Sequence, residues 1–372
     1  MDDVRTERND STGPGLPIIG IVGAGVMGAG IAQLALEAGH EVVLHDVDET
    51  AIARGRDRIA DGLARRATRT LADPDSIDDW VDGRVARLRE TTVVEQLGDE
   101  ADVVIEAALE LLELKQTIFR ALDAVADPAT ILATNTSALS IAAIAGATTH
   151  PERVLGLHFF NPAPVMRLVE VVAGPETDEG VVDRAIELVA SWGRTPVRSA
   201  DRPGFIVNRV NRPFTIEALR IVEEGSASVE SVDEAMREGG YPLGPFELMD
   251  LTGIDVTHAA ATAIWDGLGR PDHLRPSPLQ EERIAAGALG RKTGEGFHRY
   301  EGGKRIGPAE RYDRDAATLG PDAIRRRIEA AIAAEARRAV ADGVASEANI
   351  DRALRLGAGH PHGVFGTDGA EA

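Results

Sequence analysis

The sequence predicts an α/β fold in which a doubly wound, mainly parallel sheet is followed by an all-helical domain. Short apolar runs alternate with helical stretches up to about residue 200, a pattern typical of a parallel sheet covered by helices on both faces. Beyond Asp201 the strand signals nearly vanish, and helical periodicity continues to about Tyr300. We therefore expect a domain boundary near residue 200.

The first unit of the sheet is a strand, a glycine turn, a helix and a second strand. An apolar run over 17–22 leads into the turn, a helical pattern covers 29–38, and the second strand ends at Asp46. The arginine-rich segment 48–88 is too long for a simple crossover, so we expect a projecting pair of helices. The later elements are predicted as strands near 102–107, 130–134, 153–160 and 166–172 and helices near 110–126 and 138–146.

The helical part carries an internal repeat. Residues 217–239 align without gaps to residues 335–357, and the glycine, serine and aspartate positions match. The second copy stops before any counterpart of residues 250–300. The predicted domains are a flexible tail over 1–16, the sheet domain over 17–200, the helical domain over 201–301, a linker over 302–320 and a partial repeat over 321–372.

Composition narrows the classes of function. The 61 acidic residues outnumber the 40 basic ones, which disfavours nucleic-acid binding because phosphate contacts require a basic surface. The chain has no cysteine, and its nine histidines show no metal-ligand spacing, so we expect neither disulfides nor a metal site. The sequence shows no membrane span and no signal peptide, and we expect a cytoplasmic protein.

Lysine occurs at only three positions, Lys115, Lys292 and Lys304. An acidic excess with arginine in place of lysine is typical of a salt-adapted cytosol, as in halophilic archaea, although a GC-rich genome also favours arginine. Lys115 and Lys292 stand out as positions where arginine does not serve, because the two cations differ in shape and hydration.

The glycine turn predicts a dinucleotide site. In a Gly-x-Gly-x-x-Gly turn between a strand and a helix, the glycines make the tight turn, admit the pyrophosphate and let the helix pack on the strand. Asp46 would accept hydrogen bonds from the adenosine ribose, and since no arginine lies beside it in the sequence, the prediction is NAD rather than NADP. The turn residues expected at the cofactor are Gly23, Gly25, Val26, Met27 and Gly28.

The segment 156–170 combines a candidate base with a candidate carboxylate. It predicts two strands joined by a turn at residues 161–164, where two prolines interrupt the apolar pattern. His158 and Glu170 would then face each other, within reach of an imidazole–carboxylate hydrogen bond. A core histidine near an unrelated surface glutamate is the alternative.

Together these motifs resemble the L-3-hydroxyacyl-CoA dehydrogenases and the related 3-hydroxybutyryl-CoA dehydrogenases. The resemblance covers residues 17–300 and implies a Rossmann-like NAD domain and a helical domain like the C-terminal domain of 6-phosphogluconate dehydrogenase. It also implies reversible oxidation of (S)-3-hydroxyacyl-CoA to 3-ketoacyl-CoA, in fatty-acid β-oxidation or short-chain acyl-CoA metabolism. The motifs are the glycine turn, 135–137, 158–162, Glu170, 202–209 and 291–297.

The resemblance further implies catalytic roles. His158 takes the hydroxyl proton and is oriented by Glu170, while Ser137 and Asn208 contact the substrate oxygen. Asn161 would lie near the nicotinamide. Each has a structural alternative: Ser137 as a helix N-cap, Asn208 as a buried helix amide, and Asn161 as a cap of its own turn.

Four charged residues match family positions near the cofactor or CoA. Glu110 and Lys115 correspond to positions near the ribose and the phosphates, and Lys292 lies in a loop that reaches the cofactor. Arg69 matches a basic position at the CoA site. Ordinary surface is the alternative for these charges, and Gly62 stands where the family has a serine that contacts CoA, which puts the detailed CoA contacts in doubt.

Other functions are compatible with the predicted architecture. A β-hydroxyacid dehydrogenase of the 6-phosphogluconate type uses a lysine where this chain has Asn208, and an idle NAD-binding scaffold would have lost the base or its partner, which are both present. A sugar-acid dehydrogenase of the lambda-crystallin group is harder to exclude by these motifs. For partners, the resemblance implies a homodimer through the helical domain, whereas the partial repeat favours an internal pseudo-dimer. Transient contacts with a hydratase or thiolase are left open.

Overall fold

The computed structural model describes residues 15–312 and 318–367 of the 372-residue chain. The expected flexible tail over 1–16 lies almost wholly outside the described residues, as do parts of the expected linker and the end of the partial repeat. Within the two described ranges, no helix is both long and apolar enough to cross a membrane.

An eight-stranded sheet forms the N-terminal domain, in the order β3-β2-β1-β4-β5-β6-β7-β8. The first six strands along the chain are parallel, whereas β7 runs antiparallel to β6 and β8 runs parallel to β7. The strands are β1 Ile19–Val22, β2 Val42–His45, β3 Leu88–Thr91, β4 Val103–Glu106, β5 Ile131–Thr134, β6 Val154–Phe159, β7 Leu168–Ala173 and β8 Thr195–Ala200.

Helices cover both faces of this sheet, so the prediction of a doubly wound fold is confirmed. Successive residues of a strand alternate between two cores: Val103 and Ile105 pack in one cluster and Val104 packs in the other. The helices are α1 Val26–Glu37, α2 Glu49–Thr70, α3 Ile77–Val85, α4 Val94–Glu100, α5 Leu112–Asp123, α6 Ile141–Ala145 and α7 Glu179–Ser191. The expected pair of helices in the arginine-rich segment is formed by α2 and α3.

The C-terminal part is mainly helical and includes one small hairpin. Its elements are α8 Val207–Val210, α9 Arg212–Glu223, α10 Val229–Glu238, α11 Pro245–Thr252, α12 Ile254–Gly267, α13 Pro278–Ala285, β9 His298–Glu301, β10 Lys304–Pro308, α14 Pro321–Ala341 and α15 Glu347–Ala358. The prediction of a linker over 302–320 is wrong at its start, because β10 pairs antiparallel with β9. Gly302 and Gly303, both at positive φ, form the turn between these strands.

The repeated sequence produces repeated structure. Ser228 caps α10 by accepting from the Ser231 amide, and Ser346 caps α15 in the same way from Asn349. Two buried aspartates behave alike: Asp233 accepts from the Phe246 amide, as Asp351 does from the Phe365 amide. The second copy therefore forms the same local fold as the first.

The two copies share one core. Helix α14 packs on α9 and α10, and α15 packs on α8 and on strands β7 and β8. Buried side chains of both copies, including Phe214, Ile221, Ile328 and Ile350, belong to a single apolar cluster. The partial repeat is thus an integral part of the helical domain.

Ion pairs between the copies follow an approximate two-fold relation. Arg209 Nε lies 2.8 Å from Glu335 Oε1, and the equivalent Arg327 Nε lies 2.6 Å from Glu217 Oε1. Each arginine belongs to one copy and each glutamate to the other, as in the self-complementary interface of a two-fold dimer. The partial repeat therefore covers the face of α9.

Candidate active site

The glycine turn between β1 and α1 has the space that a dinucleotide phosphate needs. Gly23 has a φ of 100°, and a Cβ added to Gly28 would lie 1.8 Å from the Gly23 carbonyl oxygen. A Cβ on Gly25 would meet no described atom within 4 Å, so the backbone there is open to a ligand. Val26 and Met27 begin α1 and contribute amides of its first turn, which have no partner within the helix.

Asp46 lies beside this turn. Its Oδ2 accepts from the Ala24 amide at 2.9 Å and its Oδ1 from the Val47 amide at 2.8 Å. The carboxylate is therefore fixed next to the glycine turn, at the carboxyl end of β2. These features fit the adenosine half of NAD, which would be held by the glycine turn and Asp46.

Lys115 is held by two glutamates. Its Nζ lies 2.7 Å from Glu106 Oε1 and 3.3 Å from Glu110 Oε2, and its side chain is buried. Glu106 ends β4 and is also fully buried. Lys115 therefore has a buried carboxylate as its counter-charge, and its contact with a cofactor or CoA phosphate stays a prediction.

Glu110 has a role that the sequence did not indicate. Its Oε1 accepts from the Ser137 amide at 2.9 Å, from the Ala138 amide at 3.2 Å and from the Thr136 hydroxyl. Glu110 therefore holds the loop that carries Ser137. A sequence signal for this contact is lacking, because the two segments are brought together only by the pairing of β4 with β5.

His158 and Glu170 are opposite each other on β6 and β7, which confirms the predicted register. His158 Nδ1 lies 2.6 Å from Glu170 Oε2, and Nε2 lies 3.1 Å from the Ser137 hydroxyl. An ionised carboxylate only accepts hydrogen bonds, so the network assigns the proton of a neutral imidazole to Nδ1. Nε2 is then free to accept a proton from a hydroxyl.

Glu170 also joins the two domains. Its second oxygen, Oε1, accepts from the amides of Ile206 at 3.0 Å and Val207 at 2.9 Å. These amides lie at the start of α8, where Phe205 has a positive φ of 48°. Both oxygens of this fully buried carboxylate are thus used, one to orient His158 and one to fix the beginning of the helical domain.

Two asparagines complete the polar group. Asn208 Nδ2 lies 3.3 Å from the Ser137 carbonyl oxygen, so α8 places this amide beside the serine. Asn135 was not proposed as a site residue from the sequence, yet its Oδ1 accepts from the Phe159 amide at 2.8 Å and fixes the end of β6. The Asn-x-Ser pattern at 135–137 would have been the signal for it.

A cavity of about 560 Å³ contains this polar group and extends into the helical domain. Ser137, His158 and Asn208 line one part of it, and Asn161 also contributes. Residues from the sheet domain, the first helical copy and the end of α15 form the remaining wall, which includes Met27, Phe160, Val207, Asn211, Arg212, Thr215, Leu248, Thr252, Val256, Gly357 and Ala358. The cavity volume suits a small acyl group with its reacting centre at the polar end.

A second cavity, of about 380 Å³, lies between α1, α2 and the turn that follows Asn161. It contains Arg69, as expected for a cationic site, together with Arg58, Arg65 and Arg66. Gly62 leaves room here for the Gln33 side chain, because a Cβ at Gly62 would lie 2.0 Å from Gln33 Oε1. The cluster gives an otherwise acidic protein a local basic surface.

Lys292 is paired rather than free. Its Nζ lies 2.6 Å from Asp255 Oδ1 and 2.7 Å from Oδ2, and its side chain is about half exposed. Thr252 and Val256, on either side of this contact, line the larger cavity. Lys292 therefore stands beside the cavity wall and does not form part of it.

Family models match both domains of the chain. The family model for the 3-hydroxyacyl-CoA dehydrogenase NAD binding domain matches residues 18–202. The model for the 3-hydroxyacyl-CoA dehydrogenase C-terminal domain matches twice, over residues 204–300 and 324–368. The second match coincides with the partial repeat.

Individual relatives are similar in sequence, and a solved structure is similar in fold. The chain is 45% identical over 281 residues to 3-hydroxyadipyl-CoA dehydrogenase of Escherichia coli K12, covering 75% of this chain but only 58% of that protein. It is 42% identical over 284 residues to the mitochondrial hydroxyacyl-coenzyme A dehydrogenase of Rattus norvegicus, covering 76% of this chain and 90% of the relative. The crystal structure of 3-hydroxybutyryl-CoA dehydrogenase from Escherichia coli K12 superposes with a TM-score of 0.84 at 35% identity, covering 95% of this chain and 91% of that one.

Proposed function

The chain belongs to the 3-hydroxyacyl-CoA dehydrogenase family, and from this premise we propose how its residues carry out the reaction. The enzyme is an NAD-dependent oxidoreductase that converts a 3-hydroxyacyl-CoA into the 3-ketoacyl-CoA. The glycine turn and Asp46 would hold NAD, which would supply the hydride acceptor for the substrate carbon. The remaining steps belong to side chains of the protein.

We propose His158 as the residue that takes the hydroxyl proton. The observation that supports this role is the chain of hydrogen bonds from Ser137 through His158 to Glu170 at the polar end of the larger cavity. Nε2 accepts the proton, and the imidazolium that forms is stabilised by the Glu170 carboxylate on its other nitrogen. In the reverse direction the same nitrogen returns the proton to the forming alkoxide.

Ser137 and Asn208 position the reacting oxygen in this proposal. Both line the cavity next to His158, and a hydroxyl and an amide N–H aimed at one oxygen stabilise the charge that develops on it. Asn161, which also lines the cavity, would contact the nicotinamide end of the cofactor in this proposal, and Glu110 acts through the Ser137 loop that it holds. Lys292 sits beside the cavity wall, where its pairing with Asp255 limits it to an indirect role at the cofactor.

The arginine cluster is proposed to bind the phosphates of CoA. Arg58, Arg65, Arg66 and Arg69 line one cavity, and guanidinium groups bind phosphate oxygens with paired hydrogen bonds. The arginine-lined cavity includes Pro162, which directly follows Asn161 of the larger, 560 Å³ cavity. A CoA thioester could therefore extend from one cavity into the other along the turn at residues 161–165.

The partial repeat is proposed to replace a second subunit at the face of α9. The support is the two-fold pattern of ion pairs and the shared apolar core. The expected result is that the full-length chain has the mass of a monomer, or of an oligomer formed through another surface. Light scattering on a size-exclusion column measures this, and a dimer joined through the α9 face in a crystal structure would contradict the proposal.

The metabolic setting is also a proposal. Relatives are named for 3-hydroxybutyryl-CoA and for 3-hydroxyadipyl-CoA, so short acyl chains with or without a second carboxylate are the candidates, in fatty-acid β-oxidation or short-chain acyl-CoA metabolism. A cytoplasmic location and transient contacts with a hydratase or thiolase accompany this proposal. A salt-adapted origin is supported by the net charge of −21.

Spectrophotometry of NADH tests the activity. Full-length protein should oxidise NADH when acetoacetyl-CoA or a longer 3-ketoacyl-CoA is added, and it should reduce NAD with the corresponding 3-hydroxyacyl-CoA. Assays in low and high KCl test salt adaptation at the same time. Absence of turnover with every acyl-CoA tried, by protein that is folded and binds NADH, would overturn the proposed function.

A further inference from the structure

Arg212 is a buried cation without a partner in the larger cavity. It begins α9, lines the cavity, and is only 9% exposed. Among residues 15–312 and 318–367 it makes no ion pair and no side-chain hydrogen bond, and its Nε is a buried donor without an acceptor. Nothing in the proton-transfer group explains its presence.

The protein treats its other buried arginines differently. Arg153 pairs with Asp123, Arg209 with Glu335 and Arg283 with Glu295. Burying a charged group without a counter-charge is costly, so buried charges in proteins are normally paired. Among the buried arginines that the structure describes, Arg212 is thus the one without a carboxylate partner.

Arg212 stays charged under ordinary conditions. Burial lowers the pKa of its guanidinium to about 10, which is still well above neutral pH. His360 of the partial repeat, whose Nε2 is hydrogen-bonded to the neighbouring Asn211, adds no second positive charge, because burial lowers its pKa to about 4. An anion entering this part of the cavity therefore meets a single cation.

The helix places Arg212 at a defined distance from the reacting centre. Asn208 and Arg212 are four residues apart on a nearly continuous helical stretch, so they lie on the same face with an axial separation of about 6 Å. Asn208 contacts Ser137 at the polar end, and the wall of the cavity that Arg212 also lines contains Leu248, Val256 and Ala358. An acyl chain with its C3 oxygen at Ser137 can therefore run along apolar groups to the guanidinium.

We propose that Arg212 binds a carboxylate at the far end of the acyl chain, so that the preferred substrates are short 3-hydroxyacyl-CoA thioesters with a terminal carboxylate. This inference rests on the proposed dehydrogenase function. A phosphate of CoA is not the expected partner, because the arginine cluster of α2 forms a separate cavity for it. Paired hydrogen bonds from one guanidinium to one carboxylate would fix both the length and the end group of the chain.

The test compares two substrates of equal chain length on the full-length enzyme. We expect kcat/KM for 3-hydroxyadipyl-CoA to exceed that for 3-hydroxyhexanoyl-CoA by at least about 100-fold, because the uncharged chain leaves the buried cation unpaired. In Arg212→Met this ratio of kcat/KM values should fall at least about 100-fold. Arg220→Met removes the same charge from the same helix outside the cavity and should leave the ratio at the wild-type value.

A binding measurement supports the kinetics if a variant turns over poorly. 3-Ketoadipyl-CoA should raise the melting temperature of the wild-type and Arg220→Met proteins more than 3-ketohexanoyl-CoA does, and this difference should vanish in Arg212→Met. Equal kcat/KM for the two substrates in the wild type, or an equal loss for both in Arg212→Met, would overturn the inference. Absence of turnover with both substrates would instead count against the proposed dehydrogenase function.

Discussion

Replacing His158 by alanine should lower kcat by about 100- to 10,000-fold while NADH binds as before, since general acid–base catalysis contributes gains of this size. The imidazole links the cavity to a buried carboxylate: its Nε2 lies 3.1 Å from the Ser137 hydroxyl and its Nδ1 lies 2.6 Å from Glu170 Oε2. Without it, water would have to receive the substrate proton. The measurement is steady-state turnover of acetoacetyl-CoA, with NADH affinity determined separately by fluorescence.

Substitution of Glu170 tests the orientation of His158 separately from proton transfer by His158. In Glu170→Gln an amide NH₂ must face either the Ile206 and Val207 amides or His158, because both carboxylate oxygens now accept hydrogen bonds. If the NH₂ faces His158, Nδ1 becomes an acceptor and the proton moves to Nε2, which then cannot act as the base. We expect kcat to fall about 100-fold.

Matched exposed variants control for both changes. His150→Ala removes an exposed histidine, and Glu176→Gln changes an exposed glutamate near β7. Both should keep wild-type kcat. If His158→Ala retained more than a tenth of the wild-type kcat, or if Glu170→Gln behaved like Glu176→Gln, the pair would not be the proton-transfer group.

Much of the fold could be predicted because its signals are local. Apolar runs, the glycine turn and helical periodicity mark β1, α1 and most later elements, and the facing register of His158 and Glu170 follows from one turn between two strands. The hairpin of β9 and β10 was missed. Its strands are short and partly polar, although the Gly302-Gly303 pair was a usable turn signal.

The site was predictable where a residue type identifies its chemistry, but not where tertiary contacts decide which groups meet. Lys115 was predicted near the ribose and phosphates from its match to a family position, and the sequence did not show that Glu106, at the end of β4, holds its ammonium in the core. No feature of the sequence distinguishes Arg212 from the many other arginines of the chain. Only burial and the lack of a described counter-charge distinguish it, and neither property can be obtained from the residue type.

The second large effect is expected at the junction of the two copies, where Glu335→Gln should cost about 3–5 kcal/mol of unfolding free energy. Glu335 is fully buried and lies 2.8 Å from Arg209 and 2.7 Å from His273. Its loss leaves the Arg209 charge buried, with Asp342 as the remaining acidic contact. Urea unfolding followed by circular dichroism measures the change.

The equivalent glutamate of the first copy, Glu217, provides a control for Glu335→Gln. Glu217 makes the equivalent contact with Arg327, but the arginine side chain is 32% exposed there, against 3% for Arg209. Glu217→Gln should therefore cost only about 1 kcal/mol, because water and Glu224 still stabilise the cation. Equal costs at the two positions would mean that burial does not govern this interface. A larger cost at Glu335 would show that the partial repeat is anchored through Arg209. Arg209 directly follows the site residue Asn208. The stability of the partial repeat and the position of the Asn208 amide would then depend on the same ion pair.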